Sequence, residues 1–441
     1  MIAGAHEVGT HLAKLLAKEG KDVVLMDADP NRISELTFMN LMTLVGSPTS
    51  IHALRDAGVP RCDLFIAVTP IESINIHACI LAANLGARRT MARVDSYEIQ
   101  KEESAEFYKR IGISRLVYPE MLGGRAIAAA IHRPWARQSF ELCEGRLLLL
   151  GVKVREGAPI VGEQLMEIGR KHHNHFHVAA IKRGDELIIP GGQDRVLDGD
   201  LVYFITMPDK IDVVRFTCGK KERKLQRVII LGGNRLGIQL CYYLNKQFDV
   251  VCIVEDKERA DYVLDRVPKA HIVIGTKGDV ETLSGLDINE HDAFVAVGSN
   301  PDSNILSCLT AKKLGVGKTV VEVTDVEQVT MAQNLNIGST VNKKLLTASS
   351  IYQILLDADK TNAKCFSLID AEVADLVAQP GSRITQVPVM QLKLPKGITL
   401  GGMVRNDVGY TVTGQTQIQP GDHVAVVCVN GKIGQVEKLF V

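Results

Sequence analysis

Short apolar runs rich in Val, Ile and Leu alternate with amphipathic stretches along most of the chain, and the whole alternation occurs twice. The first half opens Met1-Ile2-Ala3 into Gly4-Ala5-His6-Glu7-Val8-Gly9, and the second opens Val228-Ile229-Ile230-Leu231 into Gly232-Gly233-Asn234-Arg235-Leu236-Gly237. Each reads as a strand running into a glycine-bounded turn that starts a helix. Leu12, Leu15 and Leu16 in one helix, and Leu240, Tyr243 and Leu244 in the other, have the i, i+3, i+4 spacing of a buried stripe. Second strands, Val23–Met26 and Val250–Val254, end in Asp27 and Glu255. Thr43-Leu44-Val45 before Gly46 matches Ile272-Val273-Ile274 before Gly275, and Leu64–Val68 with Thr69 matches Ala293–Val297 with Gly298. Helices opened by Asn75 and Asn304 follow, then the strands Thr90–Val94 and Thr319–Val323. Near-continuous apolar strands separated by amphipathic helices predict a parallel sheet covered on both faces.

The end of each half changes character. Leu147–Gly151, Val178–Ile181, Glu186–Ile189 and Asp198–Phe204 predict short strands punctuated by turns, with counterparts at Leu400–Val404, Tyr410–Thr413 and Pro420–Val426. The predicted fold class is therefore α/β: two tandem Rossmann-like doubly wound parallel sheets, each followed by a small β-rich α+β domain. The expected segments are residues 1–138 and 139–218, a polar linker at 219–225, then 226–360 and 361–441. The small modules are too short to serve as an enzyme's substrate domain but adequate for docking or sensing.

Composition narrows the function. Apolar residues make up 46% of 441 residues, and 51 Lys+Arg balance 51 Asp+Glu, so no global field draws the chain to nucleic acid or anionic lipid. No run approaches the roughly 18 apolar residues that span a bilayer, and no basic-apolar-small leader opens the sequence, which predicts a cytoplasmic location. Nine scattered cysteines, many inside apolar runs, read as free thiols in a reducing compartment.

A dinucleotide turn needs one glycine to reverse the chain, a small residue where the backbone approaches the pyrophosphate, and a glycine for helix–strand packing. Gly4 and Gly9, and Gly232 and Gly237, supply the outer two; His6 and Asn234 stand at the middle position and are expected to offer hydrogen bonds to phosphate. Asp27 and Glu255 each follow the first glycine by 23 residues, the place of the acid that accepts from the ribose hydroxyls and repels a 2′-phosphate. Arg93 and Glu322 occupy matching strand ends at the expected ligand crevice. Arg93 can contact phosphate and Glu322 cannot, so the halves are expected to differ in ligand or strength unless both are plain surface residues.

The run His172-His173-Asn174-His175-Phe176-His177 has imidazoles suited to zinc, copper or nickel, yet no adjoining cysteine or carboxylate cluster; a polar connector is the better reading, with His175 and His177 alternating to one face, and no metal is expected. His132 and Trp135 are expected to pack the end of the helix Pro119–Ile131. No G-x-S-x-G elbow and no cysteine in a nucleophile context is present, so no catalytic residue is assigned. The rival readings are an NAD-dependent oxidoreductase with an unrecognised substrate domain, and a scaffold that binds nothing.

These segments, with Ala67-Val68-Thr69, Glu72, Asn75 and Ala92-Arg93-Val94 in the first half, Ala296-Val297-Gly298, Asp302, Asn304 and Glu322 in the second, and Arg183 with Asp198-Gly199-Asp200 and Arg405 with Pro420-Gly421-Asp422 in the small modules, resemble the tandem regulator-of-potassium-conductance (RCK) family that regulates bacterial potassium uptake. The resemblance covers essentially the whole chain; Ser47 after Gly46, where the family usually has an acid, departs from it along with His6 and Asn234. It implies a non-enzymatic subunit that binds NAD(H), with ATP or ADP as further candidates. The implied ligand contacts are Gly4, Ala5, His6, Glu7, Val8, Gly9, Asp27, Val68, Thr69 and Arg93, and Gly232, Gly233, Asn234, Arg235, Leu236, Gly237, Glu255, Val297, Gly298 and Glu322. It implies a homo-oligomeric ring, dimer or tetramer, at the inner face of the plasma membrane beneath a TrkH-type potassium channel or transporter subunit. The helices Glu120–Ile131 and Lys343–Leu356 are the expected levers between ligand and ring.

Overall fold

A computed structural model of the chain describes residues 1–18, 20–34, 36, 41–96, 102–275, 280–356, 364–367, 371–429 and 432–441. Strands β1 (Ile2–Ala3), β2 (Val24–Asp27), β3 (Met42–Val45), β4 (Phe65–Ala67), β5 (Thr90–Arg93) and β6 (Arg115–Val117) form one sheet in the order β3-β2-β1-β4-β5-β6, and every pairing in it is parallel. The central strands β1, β2, β4 and β5 are buried on both faces, which is why their residues are apolar without alternation, whereas the edge strand β3 leaves Met42 and Val45 exposed; Phe65 and Met26 are fully buried.

The second half repeats this sheet. Before it come β7 (Gln138–Leu142), β8 (Leu147–Lys153), β9 (Phe176–Arg183), β10 (Glu186–Ile188) and β11 (Leu201–Thr206), an antiparallel sheet in the order β10-β9-β11-β8-β7. Then β12 (Arg227–Leu231), β13 (Asp249–Val254), β14 (His271–Ile274), β15 (Asp292–Ala296), β16 (Lys318–Glu322) and β17 (Ser339–Val341) pair in parallel as β14-β13-β12-β15-β16-β17. Last, β18 (Lys364–Ser367), β19 (Ala371–Val377), β20 (Ile398–Arg405), β21 (Val408–Thr411) and β22 (His423–Val429) make the second antiparallel sheet, β18-β19-β22-β20-β21. The α/β class with two doubly wound parallel sheets is as the pattern predicts.

Three expectations change. The sequence pattern marks no strand at β6, β7, β17, β18 or β19, and β19 is buried along most of its length despite Glu372 and Asp375, so period-2 alternation never appears in it. Asn75 and Asn304 do not open their helices; these start at Glu72 and Pro301 and place each Asn one turn inside, 1% exposed. His175 lies before β9 rather than in it, so it does not share a strand face with His177.

The small antiparallel sheets share one apolar core, in which Leu149, Tyr203 and Ile205 of the first meet Val373, Val404 and Val427 of the second. Two compact units result, and they do not follow the repeat: Met1–Gly123 with Lys343–Ile354, and Gly124–Asn342 with Leu355–Val441. The helix Lys343–Leu356 thus lies almost wholly with the first parallel sheet, whereas its sequence position is after the second. From Gly124 onward the helix Pro119–His132 lies with the second sheet, where a Cβ on Gly124 would stand 3.1 Å from Tyr243. The segment 220–226 carries no regular structure and is largely exposed. The expected boundary at 360–361 falls outside the described residues.

Candidate nucleotide crevices

In open α/β sheets the ligand crevice lies beyond the carboxyl ends of the strands where the order reverses, here at β1/β4 and β12/β15. In the first crevice Gly4 has φ +110, and a Cβ there would lie 2.9 Å from the Thr69 nitrogen. A Cβ on Gly9 would fall 1.9 Å from the Gly4 carbonyl oxygen, so the helix Glu7–Lys18 begins in direct contact with the turn. Val8 is buried and packs, leaving only its backbone to a ligand, and Val68 is likewise buried.

Asp27 is 6% exposed and already engaged. Its Oδ2 accepts from the Ala5 N–H at 2.7 Å, and its Oδ1 accepts from the Asp29 N–H at 2.9 Å and from Arg32 Nη1 at 3.3 Å. Of roughly four lone-pair sites on a carboxylate, about one is left for a ribose hydroxyl. Its first task is to tie the turn to the end of β2. His6 is half-buried, and its pKa is lowered by burial first and then by Arg32 and Arg93, against Asp27 and Glu7. Burial and the two guanidinium groups thus disfavour its protonated form. Arg93 donates Nη2 to Asp95 Oδ1 at 3.3 Å, while its Nε is buried without an acceptor among the described residues. Glu7, exposed in the turn, pairs with Lys344, and Glu120 pairs with Lys343 at 3.4 Å.

The second crevice, about 450 Å³, is lined by Gly232, Gly233, Asn234, Glu255, Arg259 and Gly298 among others. Gly232 has φ +123, and a Cβ on Gly233 would meet Val254 Cγ1 at 2.8 Å and Arg259 Cγ at 2.9 Å. Asn234 is not aimed outward as the sequence suggests. It caps the helix Arg235–Leu244, its Oδ1 accepting from the Gly237 N–H at 2.9 Å and its Nδ2 donating to the Val297 carbonyl. One amide hydrogen remains for a phosphate. Glu255 is exposed on the rim, unlike the buried Asp27, and Arg235 is exposed while Leu236 is core. Glu322 is 7% exposed, so it is not a surface residue.

One device recurs in both halves. The N–H of Thr69 donates to Asn75 Oδ1 at 2.9 Å, and Asn75 Nδ2 donates to the carbonyls of Thr69 at 2.9 Å and Arg93 at 3.0 Å. The Gly298 N–H donates to Asn304 Oδ1 at 2.9 Å, and Asn304 Nδ2 donates to the carbonyls of Gly298 at 3.0 Å and Glu322 at 3.3 Å. Each buried amide pins two loops of its crevice together. The sequence showed the paired Asn residues but not this role. Arg32 and Arg259 were also missed; each follows its crevice acid by four or five residues in the next helix, a spacing that could have marked them.

The histidine run joins modules. His177 Nε2 lies 2.8 Å from Thr399 Oγ1 on the other small sheet, and burial pushes its pKa down to about 4. Among the described residues no three His, Cys, Asp or Glu side chains gather as a metal site. The His132 ring lies 5.5 Å from Phe248, and Trp135 packs on the core of the first small module.

Paired doubly wound sheets, each with a glycine-turn crevice and each followed by an antiparallel module, define a tandem Rossmann-type protein. The model of the TrkA-N domain matches residues 1–119 and 228–343, and that of the TrkA-C domain matches 149–215 and 373–441. The chain is 30% identical to the Trk system potassium uptake protein TrkA of Haemophilus influenzae, covering 100% of this chain and 98% of that one, and 29% identical to the protein of the same name from Vibrio alginolyticus over the same shares. Among solved structures it resembles the GsuK RCK domain (TM-score 0.60, 14% identity, 100% of this chain and 94% of that one). It also resembles the GsuK channel bound to NAD (TM-score 0.58, 15% identity, 100% and 78%). The chain belongs to the TrkA family. Among the described residues no helix is long and apolar enough to cross a membrane.

Proposed function

We propose that this chain is the regulatory subunit of a Trk-type potassium uptake system: it binds NAD(H), with ATP or ADP as alternatives, in its Rossmann crevices and gates a membrane potassium-conducting subunit of the TrkH type without chemically altering the nucleotide. The observation that carries the reading is the twin crevice: glycine turn, acid at the end of the second strand and Asn-pinned loops, repeated within a chain whose full-length relatives bear the name of a potassium uptake protein. In the first crevice Arg32, Arg93 with its unfilled Nε, and the start of helix Glu7–Lys18 favour phosphate, and Asp27 has an acceptor left for ribose. In the second, Arg259 replaces that pair and Glu322 stands where Arg93 does, so the first crevice is the stronger site for anionic ligands.

Binding acts on the partner only as far as the ligand favours one ring geometry over another. Lys344, on a helix encoded after the second sheet, pairs with Glu7 in the first glycine turn and supplies a route from crevice to ring. Calorimetry with NADH, NAD, ATP and ADP on the full chain tests the binding step. Repeating it with the membrane subunit present tests coupling: linkage requires the affinities to differ, and equal values exclude regulation by that nucleotide.

A further inference from the structure

Away from the glycine turns, residues of the first small module and of the second parallel domain line an open crevice of about 640 Å³ within one compact unit. Its lining includes Arg137, Lys153 and Lys182, a single carboxylate, Asp185, and the amides Asn334 and Asn336. Arg137 donates to the Gly338 carbonyl and to Asn336 Oδ1, both neutral partners. Burial, then Arg155, lowers its pKa to about 10. Lys153 is lowered by burial first, then by Arg155 and Arg137, with Asp200 and Asp198 opposing. Asp200 is already committed, accepting from Arg183 Nε at 3.0 Å and Nη2 at 2.8 Å. Close by, Lys318 is 5% exposed, and among the described residues its ammonium bonds neutral groups: Ala136 O at 2.6 Å, Ser339 Oγ at 2.9 Å and Pro134 O at 3.2 Å. Burial, then Arg137, pushes it down to about 7. Like charges this close in a partly desolvated setting repel, and a bound anion removes the repulsion.

We propose that this crevice is a second ligand site, separate from the Rossmann crevices, for a small phosphate-bearing anion of two or more negative charges, with Lys153 and Lys182 on the ligand and Arg137 beside it. The anion would bridge Lys153 of β8 and Lys182 of β9 to the Asn334–Asn336 segment, and so tie the first small module to the second parallel domain. A free inorganic phosphate and the phosphates of a nucleotide share this chemistry.

The test is calorimetric titration of the full-length protein with inorganic pyrophosphate, with orthophosphate and ADP as parallel arms, each with and without saturating NADH. NADH binding is read in its own titration, so its absence would count against NAD(H) as the ligand of the Rossmann crevices and leave this site to be judged on the pyrophosphate arm. Saturable pyrophosphate binding that persists under NADH is expected. Lys153→Gln should weaken it at least about fivefold with NADH affinity unchanged, Lys182→Gln should weaken it likewise, and Asp185→Asn should tighten it. Under saturating NADH, ADP binding that Lys153→Gln weakens and that is much tighter than pyrophosphate identifies a nucleotide as the occupant, and equal affinities identify the inorganic ion. No saturable binding of any of the three anions, or binding that Lys153→Gln and Asp185→Asn both leave unchanged, overturns the proposal.

Discussion

The Asp27 carboxylate accepts the Ala5 N–H at 2.7 Å, closing the first glycine turn onto the end of the second strand, whereas Glu255 at the equivalent position is exposed on the rim of its crevice. The same acid in the repeat therefore has two different duties. Asp27→Ala leaves the Ala5 and Asp29 N–H groups and Arg32 without their acceptor, and is expected to cost about 2–3 kcal/mol as well as nucleotide binding. Glu255→Ala is expected to leave stability within about 1 kcal/mol and to weaken binding at the second crevice alone. Urea unfolding beside calorimetry separates the two.

Asn75→Ala and Asn304→Ala remove the same pin from each crevice. Both side chains are almost fully buried, and each deletion strands a backbone N–H and two carbonyls. Each is expected to cost about 2–3 kcal/mol. Asn→Asp at either position should fare no better, because a carboxylate cannot donate to the two carbonyls. Denaturant midpoints for the four variants give the comparison; an unchanged midpoint for Asn→Asp would show that the donated bonds are dispensable.

Gly9→Ala and Gly237→Ala each place a methyl 1.9 Å from a backbone carbonyl of the preceding turn, at Gly4 and Gly232. No side chain can rotate away to relieve this, so the turn must open. A loss of about 3 kcal/mol or more, or failure to accumulate as folded protein, is expected for both. Ala at Gly184, where no atom lies within 4 Å, meets no clash and is strained only through its φ of +58. A thermal melt of the three variants is expected to rank Gly184→Ala mildest.

Acid should loosen the joint between the small modules. His177 titrates at about 4 in the fold because burial disfavours its charged form, against an ordinary 6.5. Between those values the unfolded chain binds the extra proton and the folded chain does not, so stability rises with pH across the window. It is complete above pH 6.5 and is lost as pH falls toward 4, by at most about 3 kcal/mol. Urea unfolding from pH 7 to 4 is expected to show this slope, and His177→Gln to flatten it.

Much of the architecture was legible because its signals are local. A buried parallel strand must be apolar on both faces, a turn at positive φ must be glycine, and a chain built twice shows both features twice. What escaped were elements whose environment is supplied from far along the sequence. β19 looks too acidic for a core strand until the partner sheet covers it, and Asn75 looks like a helix opener until the Arg93 carbonyl is found 3.0 Å from its amide.

Local pattern along the chain carries the tandem plan, the order of sheets and modules and the placing of two glycine turns with their acids, since each depends on residues within one turn or one strand period of one another. The folded packing alone shows that Asp27 commits most of its acceptor sites to its own turn, that Asn234 folds back to cap its helix, and that three cations face one acid in a crevice shared by two domains. Those outcomes depend on burial and on the direction of side chains brought together across tens to hundreds of residues, and no local pattern encodes them.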